Sequence, residues 1–280
     1  MEKRTRSIGW KHAKNSGHEN EERVKNLIEN DYEYAYKFLE RIGVKGKNIE
    51  NVEVGGLHEP MVPSISGRRK TKSKTDLKIF LSDGGVIKVS IKKSFIGQVY
   101  FVGAKIFFET FEKQFDKEIP HNVKRAINLF WHSADDAEDI IKEYADKDNE
   151  KEYKLQMRHK SLNAETLRKY NGELYHAMIE WFKENSYQLA KLCFSKGAAV
   201  QEGEWCDYVW YINLLGEHKT DEIFLIEDIC RASCECANSE TYYGDKNGGT
   251  AIQLPFGFVE WHQGKLQFHH NYKKIKHILN

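Results

Sequence analysis

Two runs of alternating apolar and polar residues surround the tripeptide Asp83-Gly84-Gly85 and constrain the fold more than any other part of the sequence. Side chains alternate between the two faces of a strand, so each run predicts a strand with one buried face. The Asp-Gly-Gly step between the runs is typical of a tight turn. The apolar positions of the two runs are Leu77, Ile79, Leu81, Ile87, Val89 and Ile91. The stretch therefore predicts an antiparallel β-hairpin.

The apolar positions also limit the register of this hairpin. A slip of one residue would turn one apolar set to solvent, so apolar residues must pair with apolar residues around a loop of odd length. A three-residue loop with a glycine in the left-handed region satisfies this, and 83–85 suits it. The predicted pairs are Leu81 with Ile87, Ile79 with Val89, Phe80 with Lys88, Lys78 with Ser90, and Asp76 with Lys92. Opposed Cβ atoms lie about 5 Å apart, so Asp76 and Lys92 are expected to meet on the polar face.

Length and composition bound the architecture. The chain of 280 residues is 40% hydrophobic, enough for one large core or two small ones. Its formal net charge of +1 means that any surface for an anionic polymer must be locally basic. Five cysteines, no secretory leader and no apolar run near the length of a membrane span favour a soluble, reduced, cytoplasmic protein.

The remaining pattern predicts an α/β protein in which α and β segments are mixed. Helical spacing is present at 21–42, which Gly43 would end, and again at 104–115, 121–132, 134–145 and 164–194. Residues 55–74 are expected to form a loop and 98–102 a third strand, and four further strand-like runs fill the last quarter. We expect a catalytic core at 1–120, a helical part at 121–200 and a β-rich part at 201–280, joined in one compact unit.

The polar end of the hairpin suggests phosphodiester chemistry. A carboxylate at a strand end is a hard oxygen ligand suited to Mg²⁺, and a neighbouring ammonium can hold an attacking water or offset charge on a phosphorane. Asp76 and Lys92 together would form half of such a site. The alternative is a surface salt bridge, which contributes about 0–1 kcal/mol.

The sequence around this polar end resembles the motif of a known nuclease superfamily. Asp76, followed on the next strand by Ser90-Ile91-Lys92, resembles the PD-(D/E)xK motif of a nuclease superfamily. Thr75 stands where the motif has proline, and Ser90 stands where it has its second carboxylate. Upstream, 17–21 (Gly-His-Glu-Asn-Glu) resembles the GxxxE element, which would place Glu21 near the metal. The flanking acids Glu19 and Glu22 are alternatives if the helix is rotated.

Within the superfamily, the chain is similar to type II restriction endonucleases of the MspI-like group of four-base cutters. The shared features are the step Lys74-Thr75-Asp76, a neutral polar residue at the start of the tripeptide, and a turn at 255–258 (Pro-Phe-Gly-Phe) in a β-rich end. The resemblance implies a restriction-endonuclease-like core, a central mixed sheet flanked by helices. It also implies Mg²⁺-dependent, site-specific cleavage of double-stranded DNA to 5′-phosphates within a restriction-modification system, by a monomer or homodimer without a membrane partner. A repair or junction nuclease and a non-catalytic DNA-binding protein are the alternatives.

The resemblance assigns catalytic roles to Asp76, Ser90, Lys92 and Glu21. A serine hydroxyl is a poor Mg²⁺ ligand beside a carboxylate, which favours one metal ion over two. Asp76, the Ile91 carbonyl oxygen, water and the scissile phosphate would then complete the coordination. The alternative for Glu21 is a solvated acid favoured by the positive end of the helix dipole.

Basic and polar residues supply candidate DNA contacts. The run before Asp76 and the residues after Lys92 predict phosphate contacts by Arg68, Arg69, Lys70, Lys72, Lys74, Lys93 and Ser94. At the predicted hairpin tip of the β-rich end, Gln263 and Lys265 could read bases, with Gln253 and Gln267 beside them. An ordinary solvated loop and an ordinary exposed turn are the respective alternatives.

The cysteines allow two interpretations. Cys206, Cys230, Cys234 and Cys236 could supply four thiolates to zinc, although their spacing fits no ordinary zinc knuckle. Alternatively, Cys234 and Cys236 alternate as on one buried face of a strand.

Overall fold

A computed structural model of the chain describes residues 6–55, 61–67, 70–131, 134–215, 220–239, 249–262 and 264–280. At 6–14, 238 and 239 it describes the backbone only. The chain forms two compact units. Unit 1 comprises residues 1–95 and 194–227, and unit 2 comprises residues 96–193 and 228–280. No helix in the described ranges combines the length and apolar composition needed to cross a membrane.

The helices and strands of both units are numbered here in chain order. They are α1 (Arg6–Asn30), α2 (Tyr32–Arg41), β1 (Ile49–Val54), β2 (Val62–Pro63), β3 (Lys70–Thr71), β4 (Leu77–Leu81), β5 (Val86–Lys92), β6 (Ile96–Val102), α3 (Ala104–Phe115), α4 (His121–Phe130), α5 (Ala137–Tyr144), α6 (Glu150–His159), α7 (Ala164–Tyr170), α8 (Gly172–Glu184), α9 (Ser186–Lys191), a π-helical turn (Leu192–Lys196), a 3₁₀ turn (Glu202–Glu204), β7 (Tyr208–Ile212), β8 (Asp221–Leu225), α10 (Ile226–Ser239), β9 (Ala251–Leu254), β10 (Gly257–His262), β11 (Lys265–Asn271) and α11 (Tyr272–Leu279).

Unit 1 is built on a five-stranded mixed sheet in the order β1-β4-β5-β7-β8. The neighbouring strands are antiparallel except β5 and β7, which run parallel. Apolar residues of α1 and α2 pack against the buried side chains of these strands, and Phe38 contacts Trp210 at a ring-centroid distance of 4.8 Å. Together with the strands in the C-terminal part, this confirms the predicted mixed α/β class with a central mixed sheet.

The predicted hairpin forms, but its predicted register is wrong by two residues. The observed pairs are Leu77 with Val89, Lys78 with Lys88, and Ile79 with Ile87. The Leu81 N–H donates to the Gly85 carbonyl at 2.8 Å, so the three-residue loop is 82–84 and not 83–85. Gly84 holds the position that needs a positive φ, at 82°. A two-residue shift leaves every side chain on its predicted face.

Two predicted helices are interrupted where a polar side chain caps a new helix. The predicted helix at 21–42 is two helices, because the Asp31 carboxylate accepts the Tyr34 N–H at 3.0 Å and starts α2. Gly43, at a φ of 75°, follows the end of α2 as predicted. The predicted helix at 164–194 is likewise broken, because the Asn171 side chain accepts the Leu174 N–H at 3.0 Å and starts α8.

Unit 2 contains a four-stranded antiparallel sheet in the order β6-β11-β10-β9. The predicted third strand is β6, and it pairs with β11 from the end of the chain. The apolar face of this sheet packs on helices, with the Phe107 ring centroid 5.5 Å from that of Phe268 and 6.2 Å from that of Trp181. Helices α3, α4 and α5 lie at the predicted positions.

The cysteine-rich segment is helical, so its interpretation as a buried strand face is wrong. One of the strand-like runs of the last quarter, 222–229, is a strand only as far as Leu225, where α10 begins. This helix contains Cys230, Cys234 and Cys236. All five cysteines lie in described parts of the chain, and none forms a disulfide. In those parts no group of three or more His, Cys, Asp or Glu side chains is arranged to hold a metal ion.

Candidate active site

Asp76 lies immediately before β4, and four hydrogen bonds hold it in place. Its backbone N–H donates to the Val89 carbonyl at 2.9 Å, and its carbonyl accepts the Gly55 N–H at 3.0 Å. Its carboxylate oxygen Oδ2 accepts the Ser90 hydroxyl at 2.9 Å and the Ile91 N–H at 2.7 Å. Two hydrogen bonds to one oxygen fix the orientation of the carboxylate. The β4–β5 pairing therefore presents a fixed anion at the end of the sheet.

Lys92 directs its ammonium group into the same cluster of oxygens. Its Nζ lies 2.5 Å from Ser90 Oγ, 3.1 Å from the Ile91 carbonyl oxygen and 3.7 Å from Asp76 Oδ2. In the observed register Lys92 is diagonal to Asp76 and not opposite it, yet the long side chain still reaches the carboxylate. Since its side chain is 18% exposed and that of Asp76 is 32% exposed, this pair differs from an ordinary surface salt bridge.

Glu21 reaches the cluster from α1. Burial raises the pKa of the Glu21 carboxyl, and the nearby negative charge of Asp76 raises it further, whereas His18 and Lys92 oppose both effects. The two neighbouring acids point elsewhere: Glu19 is exposed and pairs with Arg23 at 2.9 Å, and Glu22 is exposed. Of the three candidate acids, the structure therefore brings Glu21 to Asp76.

His18 is a partner of Glu21 that sequence reasoning did not assign. Its Nδ1 lies 2.9 Å from Glu21 Oε2, one helical turn away. An ionised Glu21 can only accept, which requires the tautomer that carries the proton on Nδ1. The i, i+3 spacing of a histidine and a glutamate at the start of the GxxxE-like element is the sequence signal that could have identified it.

Asn20 attaches α1 to the end of β7. The side chain is fully buried, its Nδ2 donates to the Ile212 carbonyl at 2.9 Å, and its Oδ1 accepts the Leu214 N–H at 2.8 Å. Both partners lie more than 190 residues away in sequence. Because Glu21 is the next residue, this attachment helps determine where its carboxylate lies. Sequence reasoning gave Asn20 no role.

We expect Asn20→Ala to lower the free energy of unfolding by about 2–4 kcal/mol, because it removes the hydrogen-bond partner of the buried Ile212 carbonyl and of the partly buried Leu214 N–H. Urea unfolding of the full chain measures this. Asn30→Ala is the matched control, since Asn30 is exposed on the same helix and its side-chain amide donates to the Asn26 carbonyl one turn earlier. The control should cost less than about 0.5 kcal/mol. Equal effects of the two substitutions would contradict the conclusion that Asn20 attaches α1 to the end of β7.

A buried thiol supports the segment that leads into Asp76. Cys206 Sγ donates to the Lys74 carbonyl at 2.8 Å and lies 3.5 Å from Thr75 Oγ1. Nearby, the Lys74 N–H and the Ser73 hydroxyl both donate to the Glu204 carbonyl, at 3.3 and 3.2 Å. Burial, with a smaller effect from the charge of Asp76, raises the pKa of the Cys206 thiol to about 12. The thiol therefore stays protonated and acts as a donor.

The oxygen atoms at this site could hold one hard cation. The candidate ligands are the carboxylates of Asp76 and Glu21 and the carbonyl of Ile91, with the Ser90 hydroxyl beside them. Burial and the nearby charge of Asp76 raise the pKa of Glu21, and a divalent cation held between the two carboxylates would offset that unfavourable negative charge. Since the described residues contain no trio of acidic, His or Cys ligands, water or substrate oxygens would have to complete the coordination.

The candidate DNA contacts of unit 1 have different environments. Lys70 on β3, Lys72 and Ser94 are exposed, whereas Lys93 donates to Ser16 Oγ at 2.5 Å. The Lys74 side chain packs along Gly197, where an added Cβ would lie 2.8 Å from Lys74 Cε. The candidates Arg68 and Arg69 lie outside the described residues.

The candidate base-reading residues belong to unit 2. Gln263 lies outside the described residues, and Lys265 is exposed at the start of β11 with its ammonium 4.5 Å from the Phe101 ring centroid. Their predicted polar neighbours make internal hydrogen bonds: Gln253 accepts from Lys274 at 2.7 Å, and Gln267 donates to the His262 carbonyl at 3.4 Å.

No family model matches the chain, and no curated protein matches it. The structure is similar to that of restriction endonuclease MspI in complex with its cognate DNA, with a TM-score of 0.42 and 13% sequence identity over 94% of this chain and 88% of that one. At that level of similarity, the function has to be argued from the site itself.

Proposed function

We propose that this protein is a Mg²⁺-dependent endonuclease that cleaves double-stranded DNA at specific sites and leaves 5′-phosphates, as type II restriction enzymes do. The observation that carries the proposal is the single cluster formed by Asp76, Ser90, Lys92 and Glu21. Its members come from two adjacent strands and a helix, and they bring two carboxylates, a hydroxyl and an ammonium together where a phosphodiester could enter.

Each group of the cluster can be given a role from its chemistry. Asp76, the Ile91 carbonyl and Glu21 would hold the metal ion, which when bound supplies a positive charge that stabilises the anionic transition state. Lys92 positions the attacking water and offsets negative charge on the phosphorane, because its ammonium lies within hydrogen-bond distance of Ser90 and Ile91. Bonds from Ser90 and the Ile91 N–H keep the Asp76 carboxylate in one orientation.

Ser90 stands where the PD-(D/E)xK motif has its second carboxylate, and its contacts give a reason for the difference. Its hydroxyl donates to Asp76 and accepts from Lys92, so it connects the two groups without adding a charge. A carboxylate in its place would add a third negative charge beside Asp76 and Glu21, which a second cation would have to balance. The serine therefore supports a mechanism with one metal ion.

Plasmid DNA incubated with the purified protein and Mg²⁺ tests the proposal. Discrete linear fragments are the expected result. Nicked circles or structure-dependent cutting would favour a repair or junction nuclease. Binding without any cleavage would identify a non-catalytic DNA-binding protein that lost the acid now replaced by Ser90.

The basic run before Asp76 gives a further expected outcome. Changing Arg68, Arg69 and Lys70 together to Gln should weaken binding to any duplex and flatten the slope of log K against log salt by about 0.9 per lost phosphate contact. Fluorescence anisotropy at several salt concentrations measures the slope. A matched control, in which three exposed lysines at 37, 45 and 47 become Gln, removes the same charge from the same unit. An unchanged slope in the first variant would mean that the run does not reach the phosphates.

A further inference from the structure

The segment of α1 that carries Glu21 is attached to the sheet of unit 1 at two points. The Lys93 ammonium, just beyond β5, donates to Ser16 Oγ at 2.5 Å. One turn later, the buried Asn20 side chain is bonded to the end of β7 and to the segment that follows it. These bonds determine where the helix backbone lies. They do not determine where the Glu21 carboxylate points, because a glutamate side chain has several rotatable bonds and loses conformational entropy when it is ordered.

His18 supplies a contact that restricts this carboxylate. Its Nδ1 lies 2.9 Å from Glu21 Oε2 across one helical turn. Both side chains are largely shielded from solvent, with exposed fractions of 22% for His18 and 13% for Glu21. The pair of Arg23 and Glu19 on the same helix is 54% and 55% exposed. A hydrogen bond is stronger in partly buried surroundings than at the surface, so the bond from His18 holds its carboxylate more firmly than the exposed pair does.

The two carboxylates of the site are held in a similar way. Asp76 accepts the Ser90 hydroxyl and the Ile91 N–H, and both bonds go to one oxygen, Oδ2. Glu21 accepts the hydrogen bond of His18 on one oxygen, Oε2. Because an ionised carboxylate has two oxygens and about four lone-pair sites, a donor on one oxygen orients the group and leaves acceptor capacity for a cation. His18 therefore has the same relation to Glu21 as the β5 donors have to Asp76.

We propose that His18 is a positioning residue that holds the Glu21 carboxylate in the orientation needed to bind the divalent cation of the site. It acts through Glu21 and does not contact the cation. The inference rests on the proposed function in so far as it takes Asp76 and Glu21 as ligands of that cation. Loss of a side chain that orients a metal ligand typically weakens metal binding by about 10- to 100-fold, and a loss in this range is expected here.

Direct binding of Mn²⁺ to the full chain, without DNA, tests the inference independently of cleavage. Mn²⁺ takes the same oxygen ligands as Mg²⁺, and the electron paramagnetic resonance signal of the free aqueous ion is lost on binding, so a titration gives the dissociation constant. His18→Ala should raise this constant by about 10- to 100-fold. Arg23→Ala is the matched control, because it removes the exposed partner of Glu19 from the same helix, and it should leave the constant unchanged.

Further variants distinguish orientation of Glu21 from a general structural effect. In asparagine the side-chain nitrogen is bonded to Cγ, as Nδ1 is in histidine, whereas in glutamine it lies one bond further away. His18→Asn should therefore restore most of the Mn²⁺ affinity and His18→Gln should not. In a Glu21→Ala background, His18→Ala should have no further effect, because its contribution passes through that carboxylate. If Glu21→Ala alone abolishes binding, the asparagine and glutamine variants decide the question. Circular dichroism confirms that every variant is folded.

Several results would overturn the inference. They are an unchanged dissociation constant in His18→Ala, an equal change in Arg23→Ala, no recovery in His18→Asn, and an undiminished effect of His18→Ala in the Glu21→Ala background. A native protein that bound no Mn²⁺ would also overturn it, because Glu21 would then have no cation to hold. The proposed nuclease function fails separately. A native protein that binds Mn²⁺ in a His18-dependent way but cuts no DNA with any divalent cation would refute the nuclease and leave this inference standing.

Discussion

Lys92→Ala is expected to abolish DNA cleavage while leaving duplex affinity nearly unchanged. The ammonium lies 3.1 Å from the Ile91 carbonyl and 3.7 Å from Asp76 Oδ2, where an attacking water and the scissile phosphate would meet the proposed metal ion. Loss of a group that positions or activates water lowers rates by about 10²- to 10⁴-fold. Affinity should persist because one phosphate contact among several is a small part of binding. Single-turnover cleavage and equilibrium binding of one duplex measure both quantities.

Lys78→Ala is the matched control for this experiment. Lys78 lies on the adjacent strand β4, on the same face as Asp76, and is paired with Glu204 at 3.5 Å. Its removal should leave the cleavage rate within a few-fold of the native value. Full activity in the Lys92 variant, or an equal loss in both variants, would contradict the role assigned to Lys92.

Asp76→Asn should eliminate cleavage at every Mg²⁺ concentration. An asparagine side-chain oxygen can still accept the Ile91 N–H, so the local fold should survive, but the charge that would hold the cation is gone. With native protein, Ca²⁺ should support binding without hydrolysis, since it is larger than Mg²⁺ and accepts more flexible coordination. Metal-dependent cleavage rates, with binding measured in Ca²⁺, test both expectations.

Asp83→Asn controls for the loss of one negative charge from the same hairpin. Asp83 is exposed at the turn and pairs with Lys47 at 2.5 Å. Cleavage by this control should be normal. Cleavage in excess EDTA would refute a metal-dependent mechanism altogether, and activity of the Asp76 variant would remove Asp76 from it.

Local pattern was sufficient wherever a property depends on alternation or on nearby residues. The period-two pattern in 77–91 determined which side chains share the buried face, and for that reason Asp76, Ser90 and Lys92 were correctly placed on the other face. Helical periodicity likewise predicted α3, α4 and α5. A three-residue loop that contains a glycine was also predictable, because such a loop needs a residue with a positive φ, and Gly84 supplies it.

Tertiary structure decided what depends on partners distant in sequence. Alternation cannot distinguish registers that differ by two residues, so the pairing of Leu77 with Val89 needed the hydrogen bonds of the folded loop. Helical spacing could not choose among Glu19, Glu21 and Glu22, because the rotation of α1 is set by its packing and by the bonds of Asn20 to residues 212 and 214. The sequence by itself thus determined the faces of the hairpin and the chemical groups of the site. Contacts formed only when β7 and α1 pack against that hairpin decided which groups meet, since such contacts join segments that no local pattern connects.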